Sequence, residues 1–489
     1  MTEDLSGGVR VDAGGAGRRR LVASLVGLSL GVTLLAGGSA ATDRGSSDRG
    51  TLAPAVTVPP PASLDFPDAA PPAAVLSPAR GTPPRPAALG RQLAGVLSDD
   101  DLGDHVGVLV EPLSTDRDLF RVGGADRFIP ASTTKLLTTT AALQVMGPRH
   151  RFSTEVVRTT DVTGNEAGIV LVGGGDPLLT TGTPTRSERS LRQPATLAEL
   201  AERTAAALRD DGVRRVRLGY DATLFTGWAA SPHWKRSYIA EDIVSPITAL
   251  WIDEGRVRPN STLRHDDPAL AAATSFARLL ERDGIRLTGR PTPTRAGRAV
   301  EPVATVSSPP LQVIVEHVLA TSDNEGAEAL LRHTGLATGR PASFTGGVNA
   351  VRETLTALGV DLRRSRLFDG SGLSRDNGLT LETIADTLRV AAAPANPQLR
   401  RVVSGLPVAG FTGSLTYRFT IDADEGFGVV RAKTGTLSGV HALAGLALDR
   451  DGAPLIFVAV ANGVDLVDTL DSRALLDQLA ADLASCGCS

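Results

Sequence analysis

Residues 51–86 restrict most strongly where this chain can fold, because they hold 11 of its 31 prolines. Proline fixes its own φ angle and lacks a backbone N–H, so such a run forms neither a helix nor a paired strand. The stretch has no helical or strand period and is predicted to be a semi-rigid, largely unfolded spacer. We therefore expect a disordered linker over residues 43–86 and a folded part that begins near residue 87.

The segment before this linker indicates targeting to or across a membrane. Residues 1–20 are polar and end in three arginines, whereas residues 21–42 carry no charge. A spanning helix needs roughly 20 residues, but the glycine, serine and small-residue content also suits a cleaved signal peptide. We expect a signal anchor or signal peptide over 21–42, a cytoplasmic N-terminus over 1–20, and the rest in the extracytoplasmic cell envelope, membrane-anchored or secreted.

Composition argues against nucleic acid as a partner and against a metal site built on cysteines. The net charge is −4 and aromatic residues make up 4% of the chain, so neither a basic field nor a base-stacking platform is available. The only cysteines are Cys486 and Cys488, and two thiols without a nearby histidine do not make a metal site. We expect the final CGCS to be an incidental tail, with intermolecular pairing as the alternative.

The folded part is predicted to have an α+β fold with an inserted α/β module. Both chain ends are predicted to return to one antiparallel sheet. The evidence is the strand alternation in residues 105–130, followed by several helices, three strand-like runs between residues 426 and 463 and a last amphipathic helix. Short strands alternate with two helices over residues 154–302, which we predict to be the inserted module. The main domain would then comprise residues 87–153 and 303–489.

Lysine is so rare in this chain that each lysine is informative. There are three, Lys135, Lys235 and Lys433, against 47 arginines. Ser132 and Lys135 lie three residues apart at the predicted start of a helix, so their side chains share one face. A neutral lysine amine can take the proton of a serine hydroxyl, whereas an arginine guanidinium stays protonated. The S-x-x-K pair is therefore a candidate nucleophile and base, although alone it also fits a helix cap and a solvated lysine.

Two further motifs follow the S-x-x-K pair along the chain. The first is S-D-N, just before a helix, where it would by itself be ordinary capping sequence; it comprises Ser322, Asp323 and Asn324. The second is K-T-G-T, at the end of a strand-like run, where a cation and two hydroxyls could face an anionic group; it comprises Lys433, Thr434, Gly435 and Thr436. Chance does not readily put two of three lysines into S-x-x-K and K-T-G.

In this order, S-x-x-K, S-x-N and K-T-G resemble the motif set of penicillin-binding proteins and class A β-lactamases. Three further features make the resemblance specific to one family. They are residues 368–380 (FDGSGLSRDNGLT), residues 406–419 (LPVAGFTGSLTYRF) and the separation of 190 positions between Ser132 and Ser322. Over residues 90–480 the chain resembles the low-molecular-mass class C penicillin-binding proteins, the D-alanyl-D-alanine carboxypeptidase/endopeptidase family. This family implies a serine β-lactamase/penicillin-binding-protein-like transpeptidase fold with an inserted module.

The resemblance implies a catalytic role for four residues. Ser132 would attack the carbonyl between two D-alanines of a peptidoglycan stem peptide, and Lys135 would act as the base. Ser322 would relay a proton to the departing amine. Asn324 would hold the substrate amide and help to orient Lys135. No metal or cofactor is implied, and β-lactam antibiotics are expected to acylate Ser132 as inhibitors.

The resemblance also implies that the K-T-G-T segment binds the substrate. Lys433 would keep the catalytic lysine neutral by like-charge repulsion and, with Thr434 and Thr436, would bind the substrate carboxylate. Gly435 lies between them and belongs to the same substrate-binding segment. The backbone N–H groups of Ser132 and Thr436 would form the oxyanion hole.

Three functions are compatible with the residues. The first is a D-Ala-D-Ala carboxypeptidase, with or without DD-endopeptidase activity. The second is a β-lactamase or esterase on the same fold, and the third a non-catalytic peptidoglycan-binding protein. Neither E-x-x-L-N nor the dipeptide Leu-Asn occurs in the sequence, so the deacylating glutamate of class A β-lactamases has no counterpart. We therefore expect slow, stable acylation by penicillin, and the intact motifs favour an enzyme over a binder.

Overall fold

The computed structural model of the protein describes the chain from residue 81 onward, apart from five short gaps. The described ranges are 81–163, 166–182, 193–258, 261–297, 301–420 and 423–489. The expected cytoplasmic N-terminus, the signal anchor or signal peptide over 21–42 and most of the linker over 43–86 lie outside these ranges. Among the helices within them, none is long and apolar enough to cross a membrane.

Helices and strands follow one another along the described ranges. The helices are α1 (Pro86–Leu97), α2 (Thr134–Met146), α3 (Leu197–Asp210), α4 (Ser237–Ala240), α5 (Pro268–Arg282), α6 (Leu311–Thr321), α7 (Asn324–Ala337), α8 (Phe344–Ala357), α9 (Leu381–Ala392), α10 (Arg400–Ser404) and α11 (Thr469–Ser485). The strands are β1 (His105–Pro112), β2 (Phe120–Val122), β3 (Ser153–Thr163), β4 (Glu166–Val172), β5 (Arg215–Asp221), β6 (Arg286–Leu287), β7 (Thr292–Pro293), β8 (Pro302–Ser307), β9 (Val430–Leu437), β10 (Val440–Leu448) and β11 (Pro454–Asn462).

The first sheet joins the beginning and the end of the folded part. Its strand order is β2-β1-β11-β10-β9, and all of its pairings are antiparallel. β1 pairs with β11 over its whole length, from His105 opposite Asn462 to Pro112 opposite Leu455. The predicted α+β fold, with both chain ends in one antiparallel sheet, is confirmed.

This first sheet is the middle layer of three, and its strand β11 shows why. The sequence PLIFVAVAN is apolar without alternation, which is expected when both faces of a strand are covered. Phe457 and Ala459 pack with α1 and α11 on one face. Ile456 and Val458 pack with α2 and the helices that follow β8 on the other. Each large apolar side chain buried in this way contributes roughly 1.5–3 kcal/mol.

The strands between Ser153 and Ser307 form a second sheet. Its order is β6-β5-β4-β3-β8, with β7 also paired to β5. β3 is antiparallel to β4 and β8, whereas β5 is parallel to β4, β6 and β7. Parallel neighbours need long crossovers, which α3 and α5 provide. These two helices cover the sheet and enclose a separate hydrophobic core with it.

Most of the large apolar side chains between β5 and α5 pack against the main core, whereas Leu250 and Ile252 belong to the core of the second sheet. Phe225, Trp234, Tyr238 and Trp251 all belong to the cluster that includes α2 and α7. The second sheet also extends to Ser307, which pairs with Ser153. The domain boundaries at residues 154 and 302 stay predictions from the sequence.

The C-terminal tail is part of the core, so the prediction that it is incidental is wrong. Cys486 and Cys488 form a disulfide with each other, and Cys486 is buried in the cluster of α1 and α11. The carbonyl of Cys488 accepts a hydrogen bond of 2.8 Å from the backbone N–H of Arg85. Only the packing of the tail against the start of α1 reveals this role, which the spacing of the two cysteines does not indicate.

One buried ion pair ties the segment before α5 to the start of α7. Arg264 Nε lies 2.9 Å from Glu325 Oε1, and the two side chains are only 8% and 4% exposed. The same carboxylate oxygen accepts the N–H of Ser245 at 3.0 Å. Because Glu325 directly follows Asn324, this pair also supports one of the predicted site residues.

Arg264→Met is expected to lower the free energy of unfolding by roughly 3–5 kcal/mol, because Glu325 would stay buried as a charge without its partner. Urea unfolding followed by circular dichroism measures the change. Arg363→Met, which removes an exposed ion pair with Asp361, is the control and should leave the midpoint unchanged. Equal midpoints for Arg264→Met and the parent would contradict the structural role of the pair.

Candidate active site

Ser132 lies in a tight turn that leads directly into α2. The turn is a 3₁₀ segment, Ala131–Thr133, and α2 begins at the next residue. Ala131 has a φ of 46°, a left-handed conformation that costs a non-glycine residue roughly 1–2 kcal/mol. Gly372 packs so closely here that a Cβ atom on it would overlap the carbonyl of Ala131. The predicted nucleophile therefore sits on a strained, closely packed turn at the helix start.

The side-chain nitrogen of Lys135 is surrounded by three oxygen atoms. Nζ lies 2.9 Å from Ser132 Oγ, 2.7 Å from Asn324 Oδ1 and 2.7 Å from the carbonyl oxygen of Ser371. A neutral amine has two N–H donors and one lone pair. Since the amide and carbonyl oxygens can only accept, they take both donors and leave the lone pair for the hydroxyl of Ser132. The geometry therefore suits proton transfer from serine to lysine.

Burial is the main reason why Lys135 can be neutral. It lowers the pKa of Lys135 to about 8, because the charged ammonium loses its hydration. The carboxyl groups of Asp323 and Glu328 act in the opposite direction. Burial and then repulsion by Lys135 also lower the pKa of Lys433 well below its ordinary value. Desolvation is the largest effect on the pKa of Lys135, and the expectation that Lys433 keeps this lysine neutral by repulsion stays a prediction.

The S-D-N segment turns the chain sharply between α6 and α7. Ser322 follows α6 with a φ of 61°, and Asp323 caps α7 by accepting the N–H of Gly326 at 2.9 Å. This turn directs Asn324 to Lys135, while Ser322 Oγ accepts a hydrogen bond of 2.9 Å from Lys433 Nζ. The three predicted motifs, far apart in sequence, therefore form one hydrogen-bonded group.

The K-T-G-T segment lies on β9, at the edge of the first sheet. Lys433 is fully buried and donates to Ser322 Oγ and, at 2.8 Å, to the carbonyl of Thr434. Thr434 Oγ1 lies 2.8 Å from Ser414 Oγ. A Cβ atom on Gly435 would come within 2.8 Å of the Pro130 carbonyl. The glycine therefore lets this strand approach the turn that carries the nucleophile.

Two buried carboxyl groups hold the carbonyl of Ser371 in place. Glu328 accepts the backbone N–H groups of Gly370 and Ser371 at 2.8–3.1 Å, and burial raises its pKa to about 8. Asp369 accepts the N–H of Gly372 at 3.0 Å and the indole N–H of Trp234 at 2.8 Å. In the sequence, residues 368–380 are typical of a family, but no local pattern in them indicates the contact with Lys135.

A cleft of about 650 Å³ opens over these residues. From the predicted motifs it is lined by Ser132, Ser322, Asn324, Thr434 and Thr436. It is also lined by side chains outside these motifs, among them Lys235, Tyr238, Glu241, Leu373, Ser414, Arg418 and Arg473. The third lysine of the chain thus also lies at this site, as its rarity could have indicated. Lys135 and Lys433 lie behind the wall of the cleft.

A second cavity, of about 730 Å³, lies beside the S-D-N segment. Its wall includes Glu254, His317 and Asp323, whose ligand atoms lie within 4.8 Å of one another and could hold a cation. Arg256 already binds Glu254 at 3.0 Å.

Comparison with known proteins gives one matching family. The family described as D-Ala-D-Ala carboxypeptidase 3 (S13) matches residues 89–265 and 259–483. The chain is similar to carboxypeptidase DacB of Mycolicibacterium smegmatis, with 34% identity over 94% of this chain and 96% of that protein. It is also similar to the D-alanyl-D-alanine carboxypeptidase of Actinomadura sp. (strain R39), with 30% identity over 77% of this chain and 81% of the relative.

A solved structure has the same fold. The crystal structure of penicillin binding protein 4 (dacB) from Haemophilus influenzae superimposes with a TM-score of 0.66 at 23% identity. The match covers 80% of this chain and 98% of the other. The predicted transpeptidase-like fold is therefore confirmed.

The rate of Ser132 acylation by labelled penicillin is expected to rise with pH and to level off above about pH 8. Only the neutral amine accepts the serine proton, and the pKa of Lys135 is lowered to about 8. Stopped-time labelling of the full-length chain between pH 6 and 10 measures the profile, with circular dichroism at each pH to verify folding. A flat or falling profile over this range would contradict the assignment of Lys135 as the base.

Lys135→Arg is expected to slow this acylation by about 10²- to 10⁴-fold, the usual contribution of a general base. Arginine stays protonated and cannot take the proton. Because arginine is larger than the buried lysine, Lys135→Met provides a second variant of similar length without a base. Both should retain the parent's circular dichroism spectrum. An arginine variant as fast as the parent would show that Lys135 is not the base.

Proposed function

Because the chain belongs to the D-Ala-D-Ala carboxypeptidase 3 (S13) family, we propose that it is a serine-type D-Ala-D-Ala carboxypeptidase acting on peptidoglycan stem peptides. The observation that carries this proposal is the 2.9 Å distance between Ser132 Oγ and the nitrogen of a buried lysine. The hydrogen bonds of that lysine leave its lone pair for the serine hydroxyl. A protein that only bound peptidoglycan would have no need for this arrangement.

The proposed reaction begins with acyl transfer to Ser132. The hydroxyl proton moves to Lys135 as the serine oxygen attacks the carbonyl between the two D-alanines. The carbon–nitrogen bond then breaks, and the leaving amine takes the proton that Lys135 had accepted, relayed through Ser322, whose Oγ lies 2.9 Å from Lys433 Nζ. D-Alanine leaves, and the remaining peptide stays bound as an ester of Ser132. Backbone N–H groups of Ser132 and Thr436 would stabilise the oxyanion.

Water completes the cycle by hydrolysing the ester. The water gives its proton to the same lysine, which is neutral again, and attacks the acyl carbon. The ester bond to Ser132 then breaks, the serine oxygen takes the proton back from Lys135, and the shortened peptide leaves. Penicillin would enter by the same first step, since its strained amide also presents a carbonyl to Ser132. When the β-lactam ring opens, its amine stays covalently attached to the acyl group on Ser132, so that no amine leaves the cleft. We therefore propose that β-lactams are slow substrates that act as acylating inhibitors.

The same machinery could serve two other outcomes. A β-lactamase or esterase on this fold would release the acyl group rapidly, and the missing E-x-x-L-N segment speaks against that outcome. A DD-endopeptidase would cut cross-linked peptides, whose leaving amine belongs to a second stem peptide. The open cleft of about 650 Å³ has the volume of a site that takes a small peptide, so endopeptidase activity is compatible with it.

We further propose that the folded part acts outside the cytoplasm, in the cell envelope. The support is the uncharged run over residues 21–42 after three arginines, together with the proline-rich linker. If the run is not cleaved, it would anchor the protein in the membrane and the linker would extend the folded part towards its substrate. This proposal rests on the sequence of residues 1–86 and on the class of substrate.

The full-length chain is expected to release D-alanine from a D-Ala-D-Ala peptide and to remain acylated by benzylpenicillin long enough for detection by intact-mass spectrometry. Turnover of a chromogenic cephalosporin should be slow after the first equivalent. Ser132→Ala is the control and should abolish both D-alanine release and the mass increase. Rapid, continued cephalosporin turnover without D-alanine release would favour a β-lactamase instead.

A further inference from the structure

The cation expected to bind the substrate carboxylate does not face the cleft. Lys433 is fully buried, and its ammonium already donates to Ser322 Oγ at 2.9 Å and to the carbonyl of Thr434 at 2.8 Å. It lies behind the lining of the cleft, to which its neighbours Thr434 and Thr436 contribute. These threonines supply hydroxyls but no charge. A free carboxylate beside them therefore needs another cation.

Arg473 lines the same cleft and has an uncompensated charge. It lies on α11 and is half-buried, and its Nε atom is buried without a hydrogen-bond partner. Across the described part of the chain, no hydrogen bond or ion pair engages its guanidinium. Asp477, one turn further along α11, is already bound by Arg418 at 2.8–2.9 Å and by the N–H of Phe419 at 3.3 Å. The one carboxylate near the two guanidinium groups is thus already bound by Arg418.

The surroundings of Arg473 leave this positive charge in place. His441 pairs directly with Thr436 between β10 and β9, so the two side chains lie on the same face of the sheet. His441 is 1% exposed and neither ring nitrogen has a partner. Burial, together with Arg473 and Arg418, lowers its pKa to about 4, so it is neutral near pH 7. The charged groups here are therefore Arg418, Arg473 and Asp477, with a net charge of about +1.

The other lysine of the cleft is a weaker candidate. Lys235 is exposed to solvent and lies in the wall that also contains Glu241 and Tyr238. Water screens an exposed charge strongly, and such a charge contributes little to binding. Arg473 is half-buried, and it lies on α11, which contacts β9, the strand of the K-T-G-T segment.

We propose that Arg473 receives the free carboxylate of the leaving residue, and that it makes the enzyme select peptides with a free carboxylate there over peptides with an amide. This specificity role rests on the proposed carboxypeptidase function. Arginine suits it, since its planar fork can bind both carboxylate oxygens and its charge does not change with pH. Thr434 and Thr436 would complete the subsite with neutral hydroxyls.

The test compares two substrates that differ only at the C-terminus, an N-acylated L-Lys-D-Ala-D-Ala peptide and the same peptide with a C-terminal carboxamide. Arg473→Gln should lower kcat/KM for the acid by about 10- to 100-fold, the range of a charge-assisted hydrogen bond, and change that of the amide by less than about threefold. Arg473→Lys should restore part of the loss. Arg431→Gln, an exposed arginine on the same strand as the motif, should leave both values unchanged.

Equal losses on acid and amide would overturn the proposal, because they would indicate a structural role for Arg473, and an unchanged value for the acid would overturn it as well. If the parent released neither D-alanine from the acid nor D-alaninamide from the amide, the proposed carboxypeptidase function would fail by itself. The subsite is then judged by acylation of Ser132 with benzylpenicillin and with its methyl ester. If Arg473→Gln slows acylation by benzylpenicillin but not by its methyl ester, the subsite is supported. If the variant changes both acylation rates equally, the subsite is overturned.

Discussion

A fully buried lysine side chain beside a serine is the constraint on which the rest of the site depends. Burying an ammonium costs several kcal/mol, and this cost lowers the pKa of Lys135 to about 8, so that a fraction of the amine is neutral near pH 7. The amine still needs partners for its two N–H groups. The side-chain oxygen of Asn324 and the carbonyl oxygen of Ser371 accept these hydrogen bonds. The start of α7 and the turn at residues 369–372 must therefore keep the geometry that this one nitrogen requires.

The positive groups around the cleft divide into two kinds. Lys135 and Lys433 are buried, and burial lowers the pKa of both, so they can change their charge during proton transfer. Arg418 and Arg473 line the cleft, where a permanent charge can attract an anion. Arginine cannot replace lysine in the first role because it does not deprotonate in proteins. In a chain with so few lysines, this difference explains why Lys135 and Lys433 are not arginines.

Much of the fold could be predicted from the sequence because its signals are local. The apolar run of β11 indicated a strand, and Leu136, Leu137, Ala141 and Leu143 have the spacing of one helix face; all four are fully buried. The role of the final cysteines and the packing of residues 225–251 against the main core could not be predicted in this way. Each depends on contacts between segments distant in sequence, which leave no periodic pattern.

By itself, the sequence determined the candidate nucleophile, its base and the two accompanying motifs, because the chemistry requires particular residue types at short, fixed spacings. It also determined the alternation of apolar and polar residues that places the strands and helices. Only the tertiary structure decided that burial, more than Lys433, lowers the pKa of Lys135, that the carbonyl of Ser371 completes its hydrogen bonds, and that Arg473 shares the cleft with Thr436. The physical reason is that desolvation and hydrogen-bond geometry depend on neighbours in space, and a linear sequence records neighbours only along the chain.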